Sequence, residues 1–424
     1  MSALELDKAP VPSLPLRFLL SALAWGVFAG LWLACSGPAL FQSRWLPAAV
    51  VFVHAYTLGV MGNAMLGSLI QFLPVAVGSP LSGTRLMPLL HVLFNTGLLL
   101  LMAALMFPHP VLSAWASALL LMSIGTFAVA ALVAVCRGAG PFLLRMGIFW
   151  ALLCLLVTAA LGALLLAVLS GHLALPLGSL ADLHVTFGLS GWVVTLTASV
   201  AVITLPMFQG TRTIPGHAFL AWLALVIVVL SLTMYDVSHS NSHVRIVWLS
   251  LPGLAFCLTV WILQWRSPHQ RNPTLRKFWS LGCGALTAAC LVALWPTWLL
   301  QVPAANVAGV LVIAIGLPWL LLGMLLEITS FLCWLELRRR QPRGVRVPGV
   351  DRLLPEALKH RLLLAHAIAA MLLLTATARA APAWLAGIAL ALAYAITLTV
   401  VCRCWRGACH YIPAAAVELG RKAA

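Results

Sequence analysis

The chain has 424 residues, of which 63% are hydrophobic and only 8% charged, against roughly 25% charged in a soluble domain; with a mean hydropathy of +1.06 this excludes a soluble globular protein. The apolar runs are continuous rather than alternating, which excludes a transmembrane barrel and leaves an all-α polytopic membrane protein. The formal net charge of +16 lies in the segments between those runs, so it reports topology, and no nucleic-acid partner is expected.

Residues 1–16 are polar and proline-containing, and no cleavable leader is expected there. Twelve apolar spans follow, at 17–36, 46–78, 87–107, 112–136, 143–169, 180–206, 216–237, 246–265, 277–299, 306–334, 361–379 and 382–403, each near the ~20 residues that cross a bilayer. They form one transmembrane domain, 17–403, which contains a basic loop at 335–360 and is followed by a tail at 404–424. Twelve crossings put both termini on one side. With that side cytoplasmic, the outward loops hold only Arg44, Arg245 and Arg379 of the 25 basic residues, as the excess of basic residues in cytoplasmic loops requires. The expected setting is a bacterial cytoplasmic membrane, entered as a multi-pass protein, with anionic lipid headgroups as partners of the basic loops. Ten cysteines, mostly inside apolar runs, behave there as small hydrophobes and do not report a redox compartment.

A repeat runs through these spans. Span two carries Gly67-Ser-Leu-Ile-Gln71-Phe-Leu-Pro74, span six Ser199-Val-Ala-Val-Ile203-Thr-Leu-Pro206 and span ten Gly323-Met-Leu-Leu-Glu327-Ile-Thr-Ser330. The small residues at 67, 199 and 323 are 132 and 124 positions apart, and a Pro or Ser follows each after seven residues. Every interval is four spans, so the units have the same sense in the membrane, and three parallel four-helix repeats in a pseudo-threefold bundle are expected.

Ionisable residues inside a span are costly, which makes them functional candidates. His54 and His184 lie 130 residues apart in spans two and six, both in the outer half. Gly188, Gly191, Thr195, Ala198 and Ser199 form a stripe of small side chains beside His184, and such a stripe leaves room for a cofactor. Neutral imidazole ligates haem iron and copper; the alternative is helix packing through the small residues, each His bonded to a neighbour. His91, His217 and His366 enter spans three, seven and eleven at their inner ends, and Asn95 shares a face with His91, where the two could polarise a water or a carbonyl. A histidine at the boundary needs no ligand to be tolerated. His239 and His243, in YDVSHSNSHVR, have the i, i+4 spacing of metal ligands, with Asp236 nearby, although a polar outer loop accounts for them equally. Cys402, Cys404, Cys409 and His410 do not meet the Cys-x-x-Cys-His signature of c-type haem, and no nucleotide-binding loop or hydrolase motif is present.

The segments HAYTLGVMGNAMLGSLIQFLPV, HVTFGLSGWVVTLTASVAVITLPMF and GLPWLLLGMLLEITSFLCWLEL resemble the NnrS-like and haem-copper oxidase subunit I-like membrane proteins. The resemblance covers spans two to ten. It implies a twelve-helix pseudo-threefold bundle with haem or copper held by membrane histidines, His54 matching a low-spin haem ligand and His184 a copper ligand, and it implies respiratory subunits as partners. The departures are specific. Residues 306–334 contain no histidine, span seven has no His-His pair, and Val-Thr-Phe-Gly follows His184 where the oxidases carry a tyrosine one turn on. Oxygen reduction is therefore not expected. Two classes remain: a non-oxidase haem or copper binder linked to respiration or nitric oxide handling, and a metal-free transporter or assembly partner that keeps the fold.

The distribution of basic residues makes the topology testable. In a background freed of native cysteines, an impermeant thiol reagent added from the periplasmic side should miss cysteines placed at Arg271 and Arg343 and label one placed at Asn241. Strong labelling at position 343 would reverse the orientation.

Overall fold

A computed structural model describes residues 9–237, 242–294, 304–341, 347–379 and 381–411, with the side chains of residues 237 and 242–247 outside that description. Twelve helices are long and apolar enough to cross a membrane: α1 Ser13–Phe41, α2 Pro47–Val77, α3 Thr84–Met106, α4 Pro110–Arg137, α5 Phe142–Leu169, α6 Leu177–Gln209, α7 Gly216–Asp236, α8 Trp248–Trp265, α9 Pro273–Leu294, α10 Ala304–Arg340, α11 Glu356–Thr377 and α12 Ala383–Cys409. The described residues contain no strand. The all-α, twelve-span expectation therefore stands.

The helices are not equivalent. In α2, α10 and α6, 83%, 72% and 61% of the most apolar stretch is buried, against 22–50% in the other nine, so these three form the interior. Residues such as Leu99, Trp115 and Val129 on α3 and α4 are exposed, as lipid-facing side chains of an outer layer are. The three interior helices also share an irregularity: α2 widens into a π-helix at Ala55–Gly62, α6 at Phe187–Val194 and α10 at Leu311–Gly316. These segments begin 132 and then 124 positions apart, the spacing already seen in Gly67, Ser199 and Gly323. Each contains glycine, which tolerates the departure from regular helix. A second π-turn follows at Leu73–Val77 and Leu205–Gln209, where Pro74 and Pro206 lack the N–H of a regular turn and clash with the preceding one. The matching position in α10 is Ser330, and that helix runs on as regular α-helix to Arg340. Gly78 and Gly210 then stop α2 and α6 with φ of 75° and 69°, the left-handed conformation that glycine adopts without a Cβ clash.

Small residues set how closely the helices approach. A Cβ added to Gly67 would lie 2.7 Å from Cβ of Phe18 on α1, and one added to Gly323 would lie 2.9 Å from Cβ of Phe278 on α9. In the middle unit the relation is inverted, with Gly147 of α5 leaving the space that Ser199 of α6 fills. The same three pairings, α1 with α2, α5 with α6 and α9 with α10, thus rest on the residues that mark the repeat. Helices α1 and α12 meet as well: Gly26 lies under the Tyr394 ring, Gly30 against the Ala391 backbone and Gly387 against Ala34, a close backbone approach of the small-xxx-small kind.

Several helix boundaries differ from the hydropathy reading, among them the end of α12, which runs on to Cys409 where a tail from 404 was expected, and two at the basic loop. Helix α10 extends through Arg338, Arg339 and Arg340, because Glu336 accepts from Arg339 at 3.3 Å and Arg340 at 2.6 Å and cations suit a helix C-terminus. Helix α11 starts at Glu356 rather than 361, because the charge of Lys359 is neutralised inside the bundle, as described below.

Replacing Gly30 by Leu should destabilise the protein by about 1–3 kcal/mol through overpacking, whereas Gly125→Leu, at a position with no neighbour within 4 Å, should stay within about 0.5 kcal/mol of wild type. Thermal unfolding in detergent measures both.

Candidate functional site

His54 closes the regular first part of α2 and His184 lies in the corresponding part of α6, each just before the π-helical segment. The two rings come together, with centroids 6.1 Å apart and planes 26° from parallel. Both are half-buried. Nδ1 of His54 bonds to the Val50 carbonyl at 2.9 Å, one turn back, and Nδ1 of His184 to the Thr158 carbonyl of α5 at 3.0 Å. A carbonyl oxygen can only accept, so in each neutral ring the proton sits on Nδ1 and Nε2 keeps its lone pair. This is the arrangement by which a metal-ligating imidazole is oriented from behind by a hydrogen-bond acceptor. At this end of the bundle Arg44 also pairs with Asp182 at 3.3 Å, two residues before His184.

Of the two roles open to the stripe of small residues, the structure shows the packing one. Gly188 lies against Thr158, Gly191 against Cys154 and Ser199 against Gly147, all on α5, while Thr195 and Ala198 are buried. The stripe lets α5 pack closely and does not form an open space beside the imidazole. What accommodates the ring is Gly162 of α5, where a Cβ would come within 3.1 Å of Cε1 of His184.

The other candidate polar residues do not join the pair. His91 exchanges a hydrogen bond with Ser21 at 2.8 Å and packs edge-on against Phe18. Asn95 accepts from Trp25 at 2.8 Å and forms a reciprocal amide pair with buried Asn63, both bonds 3.1 Å. These contacts knit α1, α2 and α3 and occupy the groups expected to polarise a water. His366 lies well inside α11 rather than at its inner end, fully buried, bonded to Thr397 at 3.0 Å and edge-on to Tyr394. His217 is exposed at the start of α7. His239 and the side chain of His243 fall outside the described residues. Cys404 lies 3.5 Å from Cys333 and donates to the Leu353 carbonyl. Among the described residues no group of three or more His, Cys, Asp or Glu side chains converges as a metal site.

One cluster was not visible in the sequence. Lys359, itself buried, donates to Glu327 at 2.6 Å and to Glu356 at 3.1 Å, and Glu356 in turn accepts from the backbone N–H of Thr274 at the start of α9. The cluster ties α9, α10 and α11 together. Its sequence signals are Glu327, a carboxylate inside span ten, and Pro355, which can open a helix whose first turn holds Glu356.

Lys359→Met should leave the Glu327 carboxylate buried without its partner and lower stability by about 3 kcal/mol, and adding Glu327→Leu should recover most of that loss. Thermal unfolding of the single and double variants measures the difference; no recovery would mean the pair is not coupled.

No protein-family model matches this chain, and no curated protein matches it.

Proposed function

We propose that this protein is a non-oxidase metal-binding protein of a bacterial cytoplasmic membrane, in which His54 and His184 together hold one metal centre, the iron of a haem or a copper ion. The observation that carries this reading is the convergence of the two imidazoles with both Nδ1 atoms tied to backbone carbonyls. The ring centroids lie 6.1 Å apart with planes 26° from parallel, near enough that both imidazoles could reach one shared ion. The donor set fits iron or copper, both of which accept imidazole. Because the rings are this close, one shared centre replaces the separate haem and copper ligands that the resemblance implies.

The chain's own contribution is orientation. Val50 and Thr158 fix the tautomer of each ring, Gly162 lets α5 close over one of them, and a π-helical segment begins one residue after His54 and three residues after His184. A bound iron or copper would supply a redox or gas-binding centre in the outer half of the bilayer. The link to respiration or nitric oxide, and respiratory subunits as partners, rest on the resemblance. The charge distribution supports cytoplasmic termini, with anionic headgroups as partners of the basic loops. The recurrence of the π-segments and of the helix pairings at the repeat spacing supports the pseudo-threefold architecture.

The visible spectrum and metal content of protein purified from haem- and copper-replete cells test the reading. His54→Ala and His184→Ala should each remove or shift the same signal, a Soret band or bound copper, while leaving membrane insertion intact. Loss of haem alone in one variant and copper alone in the other would refute the shared centre. Wild-type protein free of both would favour the metal-free transporter or assembly partner.

A further inference from the structure

A second feature lies further along the same helices, on the side of the basic loops. A cavity of about 220 Å³ opens between α2, α6 and α10, with Trp279 of α9 in its wall. Met65 is the lining residue of α2 nearest to His54 in sequence, eleven positions on, so the cavity begins about 16 Å further along the helix. It is separate from the histidine pair.

The lining is mostly apolar, with Phe72, Phe208, Phe331, Met207 and Met324 prominent, and its polar members are Ser68, Gln71, Thr197 and Thr204. Gln71 is 6% exposed, lines the cavity, and neither its amide nitrogen nor its amide oxygen has a hydrogen-bond partner. The indole N–H of Trp279, on the same wall, is also buried without a partner. Buried polar groups are almost always paired, and those that are not call for an explanation. The hydroxyls of the wall do not supply it: Ser68 donates to the Ala64 carbonyl at 2.7 Å, Thr197 to that of Val193 at 2.7 Å and Thr204 to that of Val200 at 3.1 Å, and none lies within hydrogen-bond reach of the Gln71 amide.

We propose that this cavity binds a lipid-soluble aromatic molecule of one or two rings that carries a carbonyl or hydroxyl oxygen. The volume exceeds the ~150 Å³ that holds benzene and falls below the ~300–1,000 Å³ of drug-sized sites. Phenylalanine faces and methionine thioethers favour a ring. The unpartnered amide N–H₂ of Gln71 and indole N–H of Trp279 are donors for a carbonyl oxygen, and the Gln71 amide oxygen accepts from a hydroxyl. A lipid acyl chain would fill the space and leave all of them unpaired.

Benzophenone, two rings with one carbonyl, is a direct probe, since ultraviolet light couples it covalently to adjacent C–H bonds. Irradiated with the purified full-length protein in lipid nanodiscs, it should form adducts on α2, α6 and α10 at cavity-lining residues such as Met65, Met207 or Met324. Gln71→Leu, which keeps the shape and removes the amide, should weaken binding about tenfold while leaving the thermal midpoint unchanged or higher. Leu321→Trp, which fills the cavity, should abolish the adducts. His54→Ala should label like wild type, so failure of the metal reading and failure of this one are distinguishable. Adducts confined to lipid-facing positions, labelling unchanged in Gln71→Leu, or a lowered midpoint for that variant would each overturn the proposal.

Discussion

Inside a bilayer a polar group has no water to turn to, and nearly every specific feature of this bundle follows from that constraint. A lone helix satisfies its own backbone, so spans can be read from hydropathy; what it cannot satisfy is a side chain or an interrupted turn. Asn63 and Asn95 answer by pairing with each other, His366 by bonding to Thr397, and Lys359 by sitting between two carboxylates. With little hydrophobic drive between helices already in lipid, these bonds and the glycine contacts are what give one helix a preferred neighbour. Gln71 is informative because it breaks the rule.

The three interior helices show how the repeat is reused unequally. All three widen at matching positions and receive the preceding helix on a matching small residue. Only α2 and α6 carry a histidine before the widened segment, however, and only they carry the proline that produces a second π-turn. Helix α10 has Ser330 in place of that proline and spends its polar residue, Glu327, on an ion pair with α11. The imidazole pair thus falls between α2 and α6, and the charge cluster between α9, α10 and α11.

Hydropathy and charge made the span number legible, because they depend only on local composition. The register of Gly67, Ser199 and Gly323 was also legible, since tight helix pairs need small residues at fixed places. The partners of polar side chains were not. His91 and Asn95 share a helix face in sequence, yet their bonding is decided by Ser21, Trp25 and Asn63 on other helices. The Gly188–Gly191–Ser199 stripe signals close packing or open space equally well until the position of α5 is known. Lys359 was placed in the basic loop because a lysine counts as a boundary when its counter-charge, 32 residues away, cannot be seen. The histidine pair sits between these extremes: its two members were legible, their shared orientation was not.

The seam between α1 and α12 bears on how the protein is made. Helix α1 leaves the ribosome well before its close backbone neighbour α12, so the groove along Gly26 and Gly30 must face lipid, or another protein, until α12 is inserted. A polypeptide cut short before residue 383 would keep that groove open permanently, with Tyr394, Ala391 and Gly387 missing from it. Closing the seam is therefore a late step of assembly, one that needs α12 in the membrane beside α1.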